Sequence, residues 1–186
     1  MKLVVTGGPG VGKHTSARII ADKTGAQTID INKVAMDNNA IGKKTERGFE
    51  VDVKRLERLL AILTKTRKDQ IIVGHLAPYV IKPAGIRMVA VLRRSPYELE
   101  KTLEKRRYAI SKIKENVAGE ILGVSFYDSL KTFGSRKVVE FDTTGKTPEK
   151  TAGEILRALK KKPKKKGLDW LAMVSERGDM NKFFDY

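Results

Sequence analysis

A glycine-rich run directly after a short apolar segment constrains this chain more than any other stretch. The apolar segment is Lys2 to Val5, and residues 7–15 read GGPGVGKHT and lead into a helical pattern. Glycines let the backbone turn tightly and point its N–H groups inward, and the start of the next helix adds a positive dipole end. This strand–loop–helix pattern predicts a loop that binds the phosphates of a nucleoside triphosphate.

One position of the loop departs from the usual pattern. The motif has Ser or Thr directly after its lysine to ligate Mg²⁺, whereas this chain has His14 there and Thr15 one place later. We therefore expect a nucleoside triphosphate as the ligand, with Mg²⁺ held mainly through the nucleotide phosphates and water rather than by a protein side chain. A purely structural glycine turn is the alternative. The residues expected around the phosphates are Gly8, Gly10, Val11, Gly12, Lys13, His14 and Thr15.

The charge of the chain indicates a polyanionic partner. The formal net charge is +16 over 186 residues, and residues 160–166 read KKKPKKK. Such a surface attracts RNA or DNA in a salt-dependent way, and the scarcity of aromatic residues among the lysines favours contact with phosphates over base stacking. The alternative is a solvated surface with a flexible lysine linker.

Composition excludes several other classes of protein. The chain has no cysteine, which excludes disulfides and thiolate metal sites. It has no apolar run long enough to cross a membrane, and charge and glycine interrupt the first apolar segment too early for a signal peptide. From the sequence we expect a cytoplasmic protein with no membrane contact.

Strand and helix patterns alternate regularly along the chain. Helical patterns cover Lys13 to Lys23, the segments that start at Asp52 and Pro96, a long stretch from Ile110 to Leu122, and Pro148 to Leu159. Such alternation predicts an α/β fold of the P-loop type, with a five-stranded parallel sheet and helices on both faces. The predicted strands are Leu3–Thr6, Thr28–Ile31, Ile71–Val73, Met88–Leu92 and Val138–Phe141.

The predicted organisation is one domain with a short appendage. Residues 1–159 form the domain, and residues 160–186 are a basic linker and a tail with one short amphipathic helix around Trp170 and Val174. Residues 36–48 are polar and contain several turn formers, so we expect them to be irregular.

Several segments together resemble one known family. In order they are the glycine loop, Gly74-His75-Leu76, Val91-Leu92-Arg93, Arg106-Arg107-Tyr108 and Asp142 to Glu149. This order and spacing is similar to the adenylate kinase isoenzyme 6 family, and the pair Asp169-Trp170 is similar to the tail of its archaeal members. Members are small nucleoside-monophosphate kinases of the P-loop type with ATPase activity, which also act in small ribosomal subunit assembly and rRNA processing.

The resemblance implies roles for particular positions. Residues 30–53 would bind the monophosphate, and residues 105–115 would form a lid. Arg106 would contact ATP, Lys146 would lie beside the adenine, and His75 would support ATP hydrolysis, its alternative being an ordinary hydrogen-bonded histidine. Arg93 would meet the transferred phosphates or else be a surface residue. The implied catalytic residues are Lys13, His75, Arg93 and Arg106.

Three departures from the family pattern leave the reaction open. His14 replaces the metal-binding hydroxyl, Val73 replaces the Asp of an Asp-x-His motif, and Arg107 replaces a lid glycine. The first reading is a kinase that transfers phosphate from ATP to AMP or another monophosphate. The second is a ribosome-assembly factor that uses ATP as a conformational ligand. The third is a small metabolic P-loop kinase whose basic surface serves only to keep the protein soluble. Implied partners are RNA or the pre-ribosomal small subunit and a platform ribosomal protein.

Overall fold

The structure is a computed structural model, which describes residues 1–45, 48–161 and 167–184. Within these residues, parallel strands form a five-stranded sheet in the order β2-β5-β1-β6-β7, and a separate antiparallel hairpin joins β3 to β4. The predicted α/β class and the five-stranded parallel sheet are confirmed. The strands are β1 (Lys2–Thr6), β2 (Gln27–Asp30), β3 (Ile41–Thr45), β4 (Gly48–Val51), β5 (Gln70–Val73), β6 (Met88–Arg93) and β7 (Val138–Asp142).

Helices cover both faces of the sheet, as expected for parallel strands joined by crossovers. Alternate residues of β1 face opposite sides, so that Leu3 and Val5 belong to one apolar cluster and Val4 belongs to the other. The helices are α1 (Lys13–Thr24), α2 (Ile31–Asp37), α3 (Val53–Leu63), α4 (Ala77–Val80), α5 (Pro96–Lys105), α6 (Ile110–Ile121), α7 (Val124–Phe133), α8 (Pro148–Lys160), α9 (Trp170–Glu176) and α10 (Met180–Phe183).

The segment expected to be irregular, residues 36–48, contains regular structure. Asp30 is the last residue of β2. Its carboxylate caps α2 by accepting hydrogen bonds from the backbone N–H groups of Asn32 and Lys33. After α2 the chain forms the β3–β4 hairpin, in which Ile41 pairs with Val51. Turn-forming residues concealed these short strands, because such residues also occur at hairpin ends. Residues 46–47 of the predicted monophosphate segment lie outside the described part of the chain.

The long helix predicted from Ile110 to Leu122 is followed by a helix that the sequence analysis missed. Helix α6 ends at Ile121, Gly123 adopts a left-handed conformation with φ 69°, and α7 begins at Val124. Glycine takes this conformation without the steric penalty that a side chain meets, so it ends one helix and starts another.

The tail forms two short helices rather than the single one predicted. Val174 of α9 and Phe183 of α10 are buried in the same apolar cluster as β1 and α1. The tail therefore contributes to the main core, and its lysine-rich link at residues 162–166 lies outside the described residues. Among the helices that the structure describes, none has the length and apolar character needed to cross a bilayer.

Candidate active site

The glycine loop lies at the carboxyl end of β1, in the centre of the sheet. Gly10 and Gly12 have φ values of 86° and 90°, a region that disfavours side chains. A Cβ on Gly10 would lie 2.7 Å from Leu99 Cδ1, so α5 packs directly on the loop. Backbone freedom and this close approach both require glycine at position 10.

Lys13 begins α1 and is the cation of the loop. Its side chain is buried, with 5% exposure, and Nζ donates a hydrogen bond to the Gly8 carbonyl at 3.0 Å. Burial, and secondly the positive charge of Arg106, lower the pKa of Lys13 to about 8, against an opposing effect of Asp30. This ammonium has lost part of its solvation and lies among backbone N–H groups. A terminal phosphate bound there would stabilise the charged form of Lys13.

His14, the residue after Lys13, pairs with Asp30. The distance from His14 Nε2 to Asp30 Oδ2 is 3.3 Å, and both side chains are partly exposed. The hydrogen bond from His14 lowers the pKa of Asp30, and burial opposes this shift. Sequence analysis named Asp30 only as a segment boundary. Its place at the carboxyl end of β2 is the signal that could have identified it.

His75 follows β5 on the same edge of the sheet. The surrounding protein restricts its solvation and, with the charges of Lys13 and His14, lowers the pKa of His75 to about 4. The imidazole is therefore neutral at pH 7 and can accept or donate a hydrogen bond, but it is no cation there. Residue Val73, where the resemblance expects a carboxylate, is buried in the core.

The donor set does not fit a Mg²⁺ ion held by protein side chains. In the described ranges no group of three His, Cys, Asp or Glu side chains could hold a metal ion. Mg²⁺ prefers oxygen ligands, and the position of the usual hydroxyl carries the His14 imidazole. Asp30 is the acidic group beside that position, and His14 already binds one of its oxygens.

The structure does not support the phosphate-contacting role expected for Arg93. Its guanidinium is 2% exposed and donates to Glu120 Oε1, to Glu140 Oε1 and to the Glu120 backbone carbonyl at 2.6–2.7 Å. These two acidic residues neutralise its charge inside the core. Arg93 was placed at a strand end correctly, but the sequence gives no sign of its distant partners.

The next residue, Arg94, contacts the loop instead and was missed. Its Nη1 lies 3.4 Å from the Gly10 carbonyl, and Nε donates to Glu98 Oε2 at 3.1 Å. Glu98 in turn accepts from the backbone N–H of Gly145. Arg94 and Glu98 thus connect the glycine loop to the loop that follows β7.

The remaining predicted residues lie around this edge. Arg106 is exposed at the end of α5, close enough for its charge to affect Lys13. Lys146 follows β7 and forms an ion pair with Glu154 at 2.9 Å. Arg107 adopts a left-handed conformation with φ 57°, in place of the glycine that the resemblance expects.

A separate cavity of about 610 Å³ runs along the edge strand β7. It is lined by Phe141, Lys146, Glu154 and Arg157 among others, and by no residue of the glycine loop. Phosphates bound by Lys13 would therefore lie outside this cavity.

The fold and the loop together define a P-loop kinase. A family model described as an AAA domain matches residues 3–123. The chain is 33% identical over 189 residues to a protein named "Putative adenylate kinase" from Methanocaldococcus jannaschii, covering all of this chain and 97% of that one. A protein of the same name from Thermococcus kodakarensis is 33% identical over 178 residues, covering 95% and 96%. The chain belongs to this archaeal adenylate kinase family and is an enzyme of the kinase class.

Solved structures support the fold. A shikimate kinase from Acinetobacter baumannii in complex with shikimate has a TM-score of 0.61 at 15% identity, covering 88% of this chain and 95% of that one. A sugar kinase from Janibacter has a TM-score of 0.60 at 19% identity, covering 86% and 94%. At these identities the likeness shows the P-loop kinase fold alone.

Proposed function

We propose that this protein is a nucleoside-monophosphate kinase that transfers the terminal phosphoryl group of ATP to AMP and yields two ADP. The observation that carries this proposal is the buried Lys13 ammonium inside a glycine loop at the carboxyl end of β1. The bond between the γ-phosphorus and its bridging oxygen breaks, and a bond to an AMP phosphate oxygen forms. Such transfer depends mainly on alignment and neutralisation of charge.

The acceptor site would be built from residues 30–53. They leave the sheet edge beside His14 and Asp30, and they include α2 and the β3–β4 hairpin. The names of the archaeal relatives support AMP as the acceptor. Arg106 and its lid, residues 105–115, would cover ATP and exclude water, and Lys146 would lie beside the adenine.

Mg²⁺ would accompany ATP through phosphate oxygens and water, since His14 stands where the usual hydroxyl ligand would be. The ion would neutralise phosphate charge during transfer. The chain itself would contribute Lys13 and Arg106 as cations and the neutral His75 imidazole as a hydrogen-bonding group near the terminal phosphate. His75 would also position water for ATP hydrolysis in the absence of an acceptor.

A coupled-enzyme assay of ADP formation tests this proposal. One reaction contains ATP, AMP and Mg²⁺, and a parallel reaction contains ATP and Mg²⁺ alone. The kinase proposal requires faster ADP formation with AMP, with close to two ADP formed for each AMP consumed. Equal rates in both reactions would contradict it and would leave ATP hydrolysis as the activity.

A second candidate is a binding factor in small ribosomal subunit assembly that uses ATP as a conformational ligand. The replacement of both metal-supporting residues, at His14 and Val73, favours it, and the +16 charge supports contact with RNA or a ribosomal particle. The test replaces the lysines of residues 160–166 by glutamine and measures RNA affinity against salt. Each phosphate contact removed lowers the slope by about 0.7–0.9, and identical slopes would exclude this run as an RNA contact.

A further inference from the structure

The tail makes a concentrated set of contacts near the proposed ATP site. Trp170 is 9% exposed, and its Nε1 donates to Glu120 Oε1 at 3.2 Å. The same oxygen accepts from Arg93 Nε at 2.6 Å and from the Arg94 backbone N–H at 3.1 Å. One carboxylate oxygen therefore connects the tail to the residues at the end of β6.

The Glu120 side chain lies next to the glycine loop. Its second oxygen, Oε2, is 3.8 Å from the place that a Cβ on Gly8 would occupy. Arg94, whose backbone Glu120 holds, reaches the Gly10 carbonyl with its side chain. Trp170 and the glycine loop are thus separated by one buried carboxylate and one arginine.

A second group of tail contacts reaches the loop through α5. The Tyr97 hydroxyl donates to Asp179 Oδ2 at 2.5 Å, and the Tyr97 ring meets Phe183 edge to face at 5.3 Å. Lys182 forms an ion pair with Glu100 at 2.7 Å. On its other side α5 places Leu99 against Gly10, so this helix is packed between the tail and the glycine loop.

We propose that the tail, residues 169–184, is a positioning element of the nucleotide site, and that Trp170 acts through Glu120 as a positioning residue for the glycine loop. The inference rests on the proposed binding of ATP at that loop. Trp170 donates one of the three hydrogen bonds that Glu120 Oε1 accepts. Without this donor the buried carboxylate shifts towards its arginine partners, and Arg94 and the loop move with it.

The chain supplies its own reporter for this proposal. Trp170 is the only tryptophan of the sequence, so its emission reports on the tail alone. Titration of the wild-type protein with ATP is expected to change the intensity or wavelength of this emission, with a midpoint equal to the dissociation constant from calorimetry. Trp170 emission that stays constant while calorimetry shows ATP binding would overturn the proposal.

A variant pair gives the second measurement. Trp170→Phe removes the N–H donor and keeps an aromatic ring, and we expect it to weaken ATP binding about fivefold. Tyr127→Phe removes the hydroxyl of an exposed ring on α7, outside the tail, and should leave ATP affinity within about twofold of wild type. Both variants are titrated well below their unfolding temperatures, so that loss of folded protein does not enter the result.

The outcomes separate this proposal from the proposed function. If the wild-type protein binds no ATP, the proposed function fails. If the wild-type protein binds ATP and Trp170→Phe binds it equally well, the positioning role fails. Should Trp170→Phe not fold, Tyr97→Phe tests the α5 contact. It removes one hydroxyl and must also weaken ATP binding, and wild-type affinity in Tyr97→Phe would overturn the proposal.

Discussion

The two halves of the candidate site are built differently. The phosphate half consists of backbone turns around Lys13 and lies on a buried charged core, in which Arg93 pairs with Glu120 and Glu140. We call the other half the metal half, because the usual motif places its Mg²⁺ ligand at position 14; it consists of the partly exposed pair His14–Asp30 and of His75. A backbone cradle depends on glycines and packing, so it persists while neighbouring side chains change. From this difference we expect phosphate binding to be separable from the handling of Mg²⁺ in this protein.

The largest expected effect lies in the core under the phosphate half. Arg93→Met would leave Glu120 and Glu140 buried without their cation and should lower the free energy of unfolding by about 3–5 kcal/mol. Arg94→Met removes a half-exposed ion pair and should cost at most about 1 kcal/mol, with weaker ATP binding as its main effect. Chemical denaturation of both variants measures the difference. Equal stability losses would show that the two adjacent arginines are equivalent.

Next in size is the cation of the phosphate half. Lys13→Ala should weaken ATP binding about 10- to 100-fold, because a buried charge-assisted hydrogen bond contributes about 1.5–3 kcal/mol. Lys23→Ala removes the same charge from the last turn of α1 and serves as the control. Calorimetric titration with ATP measures both variants. If Lys13→Ala bound ATP with wild-type affinity, the proposal that Lys13 binds the ATP phosphates would be contradicted.

A smaller effect is expected from pH. The folded-state pKa of Lys13 is lowered to about 8, so the ammonium loses its proton as pH rises through 8. ATP affinity should fall about three- to tenfold between pH 7 and pH 9. Stability of the free protein changes in the opposite direction, because an unfolded lysine keeps its proton to higher pH. Lys13→Ala should show neither change, and an ATP affinity that is flat from pH 7 to 9 in the wild type would contradict the assigned pKa.

The smallest effect is expected in the metal half. His14→Thr restores a hydroxyl next to Lys13 and should strengthen the dependence of ATP binding and turnover on Mg²⁺ by about threefold. The double variant with Val73→Asp should strengthen it further, at some cost in stability since position 73 is buried. Titrations with and without Mg²⁺ measure the ratio. If the folded double variant gains nothing, the native His14–Asp30 pair already serves the metal.

The sequence predicted the parts of the molecule that local patterns specify. The glycine loop, the start of α1 at Lys13 and the central strands follow from spacing and apolar runs, and they occur where expected. The pairing of His14 with Asp30 and of Arg93 with Glu120 joins residues 16 and 27 positions apart in the chain, which no local pattern shows.

Adjacent residues at the end of β6 illustrate the same point. Arg93 and Arg94 have the same side chain, and only their tertiary partners distinguish a core residue from a loop contact. The burial of the tail also depends on distant contacts, which is why Trp170 was predicted only as part of a peripheral helix.

One titration tests the central claim most directly. Wild-type protein is titrated calorimetrically with ATP in the presence of Mg²⁺ and again in the presence of a chelator. Because we propose that the phosphate half provides the binding, and because His14 stands where the usual Mg²⁺ ligand would be, the two dissociation constants should agree within about threefold. ATP binding that requires Mg²⁺, or a dissociation constant more than about tenfold weaker without it, would contradict the separation of the two halves.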